Sequence, residues 1–173
     1  MLRSHTVYRL NGAPCGGESG LEPTTFVHVT HPEIFDSPAG RLRILLTAEQ
    51  TGGAFCLLQC FLPIGFVTPK HVHAREDVAV YLLEGKLECI VGDVVAYVHS
   101  GETVLLPRNV PHQVRSIGAT EARAMLVCAP AGCEDFLRAI GTPALMTPPS
   151  APEAEHEKRV SMVMERFGLR LLG

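Results

Sequence analysis

The sequence predicts one all-β domain followed by two short helices. Residues 41–129 form a succession of short runs rich in Val, Ile, Leu and Tyr, which turn signals such as Glu84-Gly85, Gly92-Asp93 and Ser100-Gly101 separate. Several short strands at this spacing are typical of an all-β sandwich or barrel. After Pro130 the hydrophobic period changes from that of strands to that of helices. A length of 173 residues corresponds to a single domain with a substantial core.

Composition excludes several classes of function. The net charge of -3 and the absence of a basic cluster give no reason to expect a nucleic-acid or anionic-membrane partner. The longest apolar region, residues 54–67, is interrupted by Gln59, Pro63 and Gly65 and is too short to span a bilayer. The six cysteines show no C-x2-C spacing, and the N-terminus lacks the apolar core of a signal peptide. We therefore expect a cytoplasmic protein with a small-molecule partner.

The first part of the chain divides into an arm and the β domain. Residues 1–25, rich in Gly, Pro and Ser, are expected to form a loose arm, and residues 26–130 the domain itself. Residues 26–30 and 41–48 alternate as strands do, and residues 54–62 are apolar on both faces, as in a strand covered on both sides. Within that last strand, Gln59 is either held by a cross-strand hydrogen bond or is a contact for a ligand.

Residues 131–173 are expected to pack on the domain as a helical segment. Residues 133–140 place Phe136, Leu137 and Ile140 at helical spacing, with acidic residues in the first turn. A proline-rich linker, residues 142–152, follows. Residues 153–167 then show apolar residues at i, i+3, i+4 and i+7, and Gly168 is a stop signal. Neither helix carries a catalytic pattern, so both are expected to act as lids or dimer elements.

Three histidines form a candidate metal site. His71 and His73 are one residue apart, and side chains at i and i+2 of a strand point to the same face. His112 follows a second stretch punctuated by Gly101, Pro107 and Pro111. Imidazole nitrogens suit Fe, Ni, Cu and Zn, so the sequence predicts one divalent transition-metal ion without selecting among these four.

These two stretches resemble the two motifs of the cupin superfamily, G-x5-HxH-x3,4-E-x6-G and G-x5-PxG-x2-H-x3-N. Gly65, His71, His73 and Gly85 match the first, and Gly101, Pro107 and His112 match the second. Asn109 replaces a glycine and tolerates positive φ, and Ser116 replaces the final asparagine. The chain is most similar to single-domain cupins that resemble quercetin 2,3-dioxygenase. The resemblance implies a jelly-roll barrel (a double-stranded β-helix) and a metal held by the three histidines.

One position departs from that resemblance. Val78 stands where these relatives most often carry a glutamate ligand. Either the three-histidine site functions as it stands, as in cysteine dioxygenase, or the pocket is vestigial. Strand parity places Glu76 on the side of Val78, so Glu76 is a candidate substitute ligand, with a solvated acid as the alternative. Valine cannot act as a general base, which weakens a flavonol-type mechanism.

Strand parity also predicts which residues line the pocket, and the resemblance to cupins implies a function. The lining is expected to be mostly apolar and to comprise Gln59, Val78, Val80, Leu82, Val114 and Ser116. The leading function is a non-haem small-molecule oxygenase that acts on an apolar, chelating substrate. The alternatives are a metal-dependent isomerase or cyclase without O2, and a non-enzymatic small-molecule-binding protein. Single cupins of this kind commonly pair, so a homodimer is expected.

Overall fold

The computed structural model describes residues 27–37, 40–144 and 162–172. The chain divides into two units, Met1–His31 and Pro32–Gly173. Of the first unit, residues 27–31 are described and contain no strand, so the strand predicted over residues 26–30 is wrong in its described part. The arm predicted over residues 1–25 lies outside the described residues.

The second unit consists mainly of two antiparallel sheets, as the alternating sequence predicts. The larger sheet has the order β11-β1-β2-β3-β10-β5-β8 and the smaller sheet the order β12-β4-β9-β6-β7. The strands are β1 Glu33–Ser37, β2 Gly40–Leu46, β3 Cys56–Leu62, β4 His71–His73, β5 Asp77–Glu84, β6 Lys86–Val91, β7 Val94–His99, β8 Thr103–Leu106, β9 His112–Ser116, β10 Ala122–Ala129, β11 Thr142–Pro143 and β12 Leu169–Leu171.

The core lies between the two sheets and follows strand parity. Along β5, Val78, Val80 and Leu82 are buried, whereas Tyr81 on the opposite face is 43% exposed. The apolar cluster combines residues of the larger sheet such as Leu58 with residues of the smaller sheet such as Leu87. Because burial of apolar area is the main favourable term in folding, this shared cluster holds the sheets together.

Three short helices complete the described fold: α1 Ala48–Thr51, α2 Cys133–Ile140 and α3, residues 162–166. Helix α2 has the bounds that the sequence predicts, and its inward face includes Leu137 and Ile140. Of the helix predicted over residues 153–167, α3 is the described part, and residues 153–161 lie outside the described residues. Among the described residues, the model has no helix with the length and apolar character needed to cross a membrane.

The C-terminal segment contributes strands that the sequence did not predict. Strand β12 follows Gly168, which has a φ of 73°, and pairs antiparallel with β4, the strand that carries His71 and His73. Strand β11 pairs with β1 at the edge of the larger sheet. The prediction of a helical segment with a proline-rich linker over residues 131–173 did not include these two strands, because β pairing is non-local and leaves little trace in local periodicity.

Candidate metal centre

The three predicted histidines meet between two strands of the smaller sheet. Strand β4 carries His71 and His73, and His112 begins β9 directly opposite His71. One ring nitrogen from each histidine lies within 4.8 Å of the others. The ring centroids of His71 and His112 are 4.5 Å apart, and those of His73 and His112 are 5.3 Å apart. This convergence of imidazoles is the arrangement that a transition-metal ion requires.

Backbone carbonyls fix the outer nitrogen of two rings. His71 Nδ1 lies 2.8 Å from the Pro69 carbonyl oxygen, and His112 Nδ1 lies 3.0 Å from that of Val110. Because a carbonyl can only accept, each Nδ1 carries the proton and donates it, which leaves Nε2 with a free lone pair. The Nε2 atom of His112 is buried and has no hydrogen-bond partner. An unpartnered buried acceptor is costly unless something binds it, so this atom fits a metal ligand.

The third ring is held by a carboxylate. His73 Nδ1 lies 3.4 Å from Glu76 Oε2, and Glu76 is 2% exposed. Glu76 therefore contacts the outer nitrogen of His73 and does not join the cluster of the three rings. The alternative of a solvated acid is wrong, because the side chain is buried. The side that strand parity gave to Glu76 agrees with its burial, which Val78 shares and Asp77 does not, and its role as a metal ligand stays a prediction.

The electrostatic environment differs from ring to ring. Burial lowers the pKa of His71 to about 4 and also lowers that of His112. Burial acts in the same direction on His73, but hydrogen bonds with Cys133 and Glu76 outweigh it and raise the pKa of His73 to about 9. His71 and His112 are thus neutral at pH 7, as metal ligands must be, whereas His73 has to release a proton when it binds an ion.

The loop between β8 and β9 ties the two motifs together. Asn109 adopts a φ of 61°, the left-handed conformation expected of the residue at this glycine position, and its N–H donates to the His73 carbonyl at 2.7 Å. Arg108 donates to Asp77 through its backbone N–H at 2.8 Å and through its guanidinium at 2.7 Å. These bonds fix the strand that carries His73 relative to the loop that precedes His112.

The histidines line an apolar cavity of about 440 Å³ between the sheets. Of the predicted lining residues, Val78, Val80 and Val114 are present in its wall. Helix α2 contributes Phe136, Leu137 and Ile140, while Met164, Leu169 and Leu171 come from the C-terminal segment. Among the described residues, the wall includes no Asp, Glu, Lys, Arg or Tyr.

Three predicted pocket residues lie elsewhere. Gln59 lies on the opposite face of β3 from the cavity-lining residues Leu58 and Cys60, and its Oε1 accepts from Arg43 at 3.4 Å. A strand that is apolar on both faces does not reveal which face borders the cavity, and this ambiguity misplaced Gln59. Leu82 is fully buried, and Ser116 is 1% exposed, but neither lines the cavity.

Cys133 is a further site residue, which the sequence did not predict. Its Sγ lies 4.0 Å from His73 Nδ1, and it lines the same cavity. Cys133, Leu137 and Ile140 stand at i, i+4 and i+7 of α2, which is the spacing of one helix face. That spacing aligned Cys133 with the apolar face, but nothing in the sequence indicated that this face meets His73.

Comparisons with known proteins agree with this fold. Residues 57–128 match the family model for the Cupin domain. Protein SchB of Streptomyces halstedii is 29% identical over 96 residues, which cover 53% of this chain and 67% of that protein. The structure of KdgF from Halomonas sp. has a TM-score of 0.54 at 15% identity, over 64% of this chain and 96% of that one. An RmlC-like cupin from Shewanella frigidimarina has a TM-score of 0.53 at 22% identity, over 64% and 94%. At these identities the two solved structures show the fold alone, and the predicted jelly-roll is confirmed.

Proposed function

We propose that this chain, which carries a cupin domain over residues 57–128 and has the cupin fold, is a metal-dependent non-haem oxygenase. His71, His73 and His112 would hold one divalent ion of Fe, Ni, Zn or Cu. The substrate would be a small apolar molecule with a chelating group, as in enzymes that resemble quercetin 2,3-dioxygenase. The observation that carries this proposal is the convergence of three imidazoles on a cavity of about 440 Å³ whose described wall has no charged residue other than histidine.

The donor set decides what a bound ion would supply. Three neutral imidazoles leave a divalent ion its full +2 charge, which favours Lewis-acid chemistry on a chelating substrate and reaction with O2. Val78 and Val80 present only methyl groups to the substrate, so the protein offers no base at the usual glutamate position. Apart from the ion and the histidines, the described wall offers no cationic side chain to a substrate.

The remaining residues prepare the site. The carbonyls of Pro69 and Val110 fix the orientation of His71 and His112, and Glu76 does the same for His73. Phe136, Leu137 and Leu169 add apolar side chains to the cavity wall, which suits O2 and an apolar substrate.

An isomerase or cyclase without O2 is the weaker alternative. Such reactions need a titratable side chain within reach of the proton to be moved. Apart from the three histidines, the described wall offers only thiols and the hydroxyl of Thr68. A protein that binds a small molecule without turnover is the third possibility.

Oxygen consumption with metal-loaded protein tests the proposal. Iron- and nickel-loaded samples would be given flavonols and other apolar hydroxyketones, and His112→Ala would serve as the inactive control. Uptake of O2 with at least one compound, lost in His112→Ala, is expected. Isomerised product without O2 uptake would establish the second candidate. Tight binding with no product under either condition would establish the third.

Two further features belong to this proposal. The working unit is a homodimer. The protein works in the cytoplasm, which suits the free thiols of Cys56, Cys60, Cys89, Cys128 and Cys133.

A further inference from the structure

Three buried side chains of different chemistry meet on the outer side of the His73 ring. Around Nδ1 of His73 lie Glu76 Oε2 at 3.4 Å and Cys133 Sγ at 4.0 Å. One ligand atom from each of these three residues lies within 4.8 Å of the other two. His73, Glu76 and Cys133 are 8%, 2% and 7% exposed. This cluster shares only His73 with the three-histidine centre, so it is a separate group of possible ligands.

We propose that His73, Glu76 and Cys133 form a second metal site, which takes a thiophilic divalent ion such as Zn²⁺ and shares the His73 ring with the three-histidine centre. One thiolate, one imidazole and one carboxylate are the donors that zinc uses in proteins. The three-histidine centre offers nitrogen alone, so the two sites differ in the metals they select. Three protein ligands leave a fourth position for water or substrate at the cavity side.

The distances between these donors are also close to those that a bound ion needs. An N–H···O hydrogen bond has a donor–acceptor distance of about 2.7–3.2 Å, so the 3.4 Å between His73 Nδ1 and Glu76 Oε2 is long. Zn–N and Zn–O bonds of about 2.0–2.2 Å and a Zn–S bond of about 2.3 Å place tetrahedral ligands roughly 3.3–3.6 Å apart. The Glu76 oxygen is already at that spacing. Cys133 Sγ lies 4.0 Å from His73 Nδ1 and would have to move about 0.4–0.5 Å closer to reach that spacing.

Charge balance also favours an ion at this position. Binding would release the thiol proton of Cys133 and a ring proton of His73 to solvent. The divalent ion would then cancel the charges of the Glu76 carboxylate and of the thiolate that Cys133 forms on binding, in a site where all three side chains are buried.

The same geometry rules out a nucleophilic triad of Cys133, His73 and Glu76. In such a triad the acid contacts one ring nitrogen and orients the ring, while the other nitrogen takes the proton of the thiol. Here both side chains contact Nδ1, so the acid occupies the nitrogen that would have to accept the thiol proton. An ion placed beside that nitrogen is instead within reach of all three donors.

The backbone around Cys133 is held in place for this role. Glu134, the next residue, accepts hydrogen bonds from the N–H groups of Ala48 at 2.6 Å and Gly132 at 2.9 Å. Gly132 has a φ of 146°, which L side chains rarely adopt, and a Cβ there would lie 3.3 Å from Glu76 Oε1. Glycine therefore suits both the backbone conformation and the close approach of this loop to the Glu76 carboxylate.

Titration of metal-free protein with Co²⁺ tests the second site. A thiolate ligand gives a near-ultraviolet charge-transfer band, which three imidazoles alone do not. We expect the band and two cobalt ions per chain in the native protein. Cys133→Ala should lose the band and bind one ion, while Cys89→Ala, which removes a buried thiol outside the cavity wall, should keep both. Glu76→Gln retains the side-chain volume, and it should raise the cobalt concentration at which the band is half developed at least tenfold.

His112→Ala separates this proposal from the proposed function. The variant should lose the ion of the three-histidine centre and keep the charge-transfer band, with one cobalt ion per chain. Absence of the band in native protein at saturating cobalt would overturn the second site. So would a band that persists in folded Cys133→Ala, because the thiolate would then belong to another cysteine.

Discussion

His71 and His112 lie directly opposite one another on β4 and β9, and each donates its Nδ1 proton to the carbonyl of the residue two positions before it. The two rings, 4.5 Å apart between centroids, thus present Nε2 to the same point. The pairing of two strands and two local hydrogen bonds set this geometry. The site is therefore formed before any ion arrives, which lowers the cost of binding one.

The first prediction concerns Val78, which is 3% exposed and lines the cavity with the histidines. Val78→Glu should raise metal affinity, because a carboxylate that reaches a dication adds a ligand. Without metal the same variant should lose about 2–4 kcal/mol of unfolding free energy, since a buried carboxylate is then unpaired. Metal titration and chemical denaturation, with and without chelator, measure both quantities.

The matched control for this prediction is Ala79→Glu, on the opposite face of β5. It should change neither metal affinity nor the difference in stability between metal-loaded and metal-free protein. If Val78→Glu weakens metal binding, or destabilises both forms equally, Val78 does not face the ion and the proposed centre is misplaced.

Much of this site could be predicted because it depends on local pattern. Two histidines one residue apart on a strand, and a third within a glycine- and proline-punctuated stretch, predicted the cluster that the structure forms. Strand parity also predicted the inward positions of Val78, Val80 and Val114. These features follow from the two-residue period of a strand, which needs no knowledge of its neighbours.

The rest could not be predicted because it depends on non-local contacts. Nothing near Gly168 indicates that Leu169–Leu171 pair with the strand of His71 and His73. Nothing in a lone cysteine on an amphipathic helix indicates that its thiol meets His73. Strand parity gave Glu76 the buried side but could not show that its carboxylate contacts Nδ1 of His73, because residues 74–76 are not strand.

The second prediction is a loss of stability in acid when no metal is bound. His71 has a pKa lowered to about 4, so the folded state favours its neutral form. The neutral His71 ring therefore contributes fully to the free energy of unfolding above pH 6.5, which is about its pKa in the unfolded chain. This contribution is lost as the pH falls toward 4. The loss should be on the order of 2–3 kcal/mol, because the ring is partly exposed. His112 adds to it in the same direction.

Other titratable groups contribute little to the change in stability between pH 7 and pH 4.5. His73 is protonated in both states below pH 6.5, so its contribution is constant there. Between pH 7 and 9 the contribution of His73 to the free energy of unfolding falls as the pH rises, whereas that of Cys133 rises. The Cys128 thiol and the His73 ring lower the pKa of Cys133 to about 7, although burial acts to raise it.

Chemical denaturation in the presence of chelator, from pH 7 to pH 4.5, measures the loss of stability in acid. His71→Gln should reduce this loss of unfolding free energy, whereas His99→Gln, at an exposed position, should leave it unchanged. The same loss in both variants would contradict the role given to His71.

The third prediction concerns Glu134, which is 1% exposed and accepts two backbone hydrogen bonds at the start of α2. Burial acts to raise its pKa, but hydrogen bonds from Cys56 and from these N–H groups lower it overall. Glu134→Ala leaves the buried N–H groups of Ala48 and Gly132 without an acceptor and should cost about 2–4 kcal/mol. Glu49→Ala, at an exposed position in α1, should cost less than about 0.5 kcal/mol. Equal costs would show that Glu134 does not anchor the helix.

The fourth prediction is a dimer at micromolar concentration. Strand β7 forms an edge of the smaller sheet, and its residues Val94, Val95 and Tyr97 are 67%, 51% and 57% exposed. Apolar side chains grouped on an outer strand are a common interface between copies of one chain. Sedimentation should report twice the chain mass of 18.7 kDa. Tyr97→Arg should shift the equilibrium toward monomer, whereas a native monomer would contradict the prediction.

Metal content is the most direct test of the three-histidine centre. Native protein and the variants His112→Ala and His99→Ala, purified side by side and exchanged into metal-free buffer, would be analysed for Fe, Ni, Zn and Cu by mass spectrometry. Native protein and His99→Ala should retain a transition metal after His112→Ala has lost most of it, and acid should release it as the histidines protonate. Equal metal content in all three proteins, or none in the native protein even after incubation with each ion, would contradict the account.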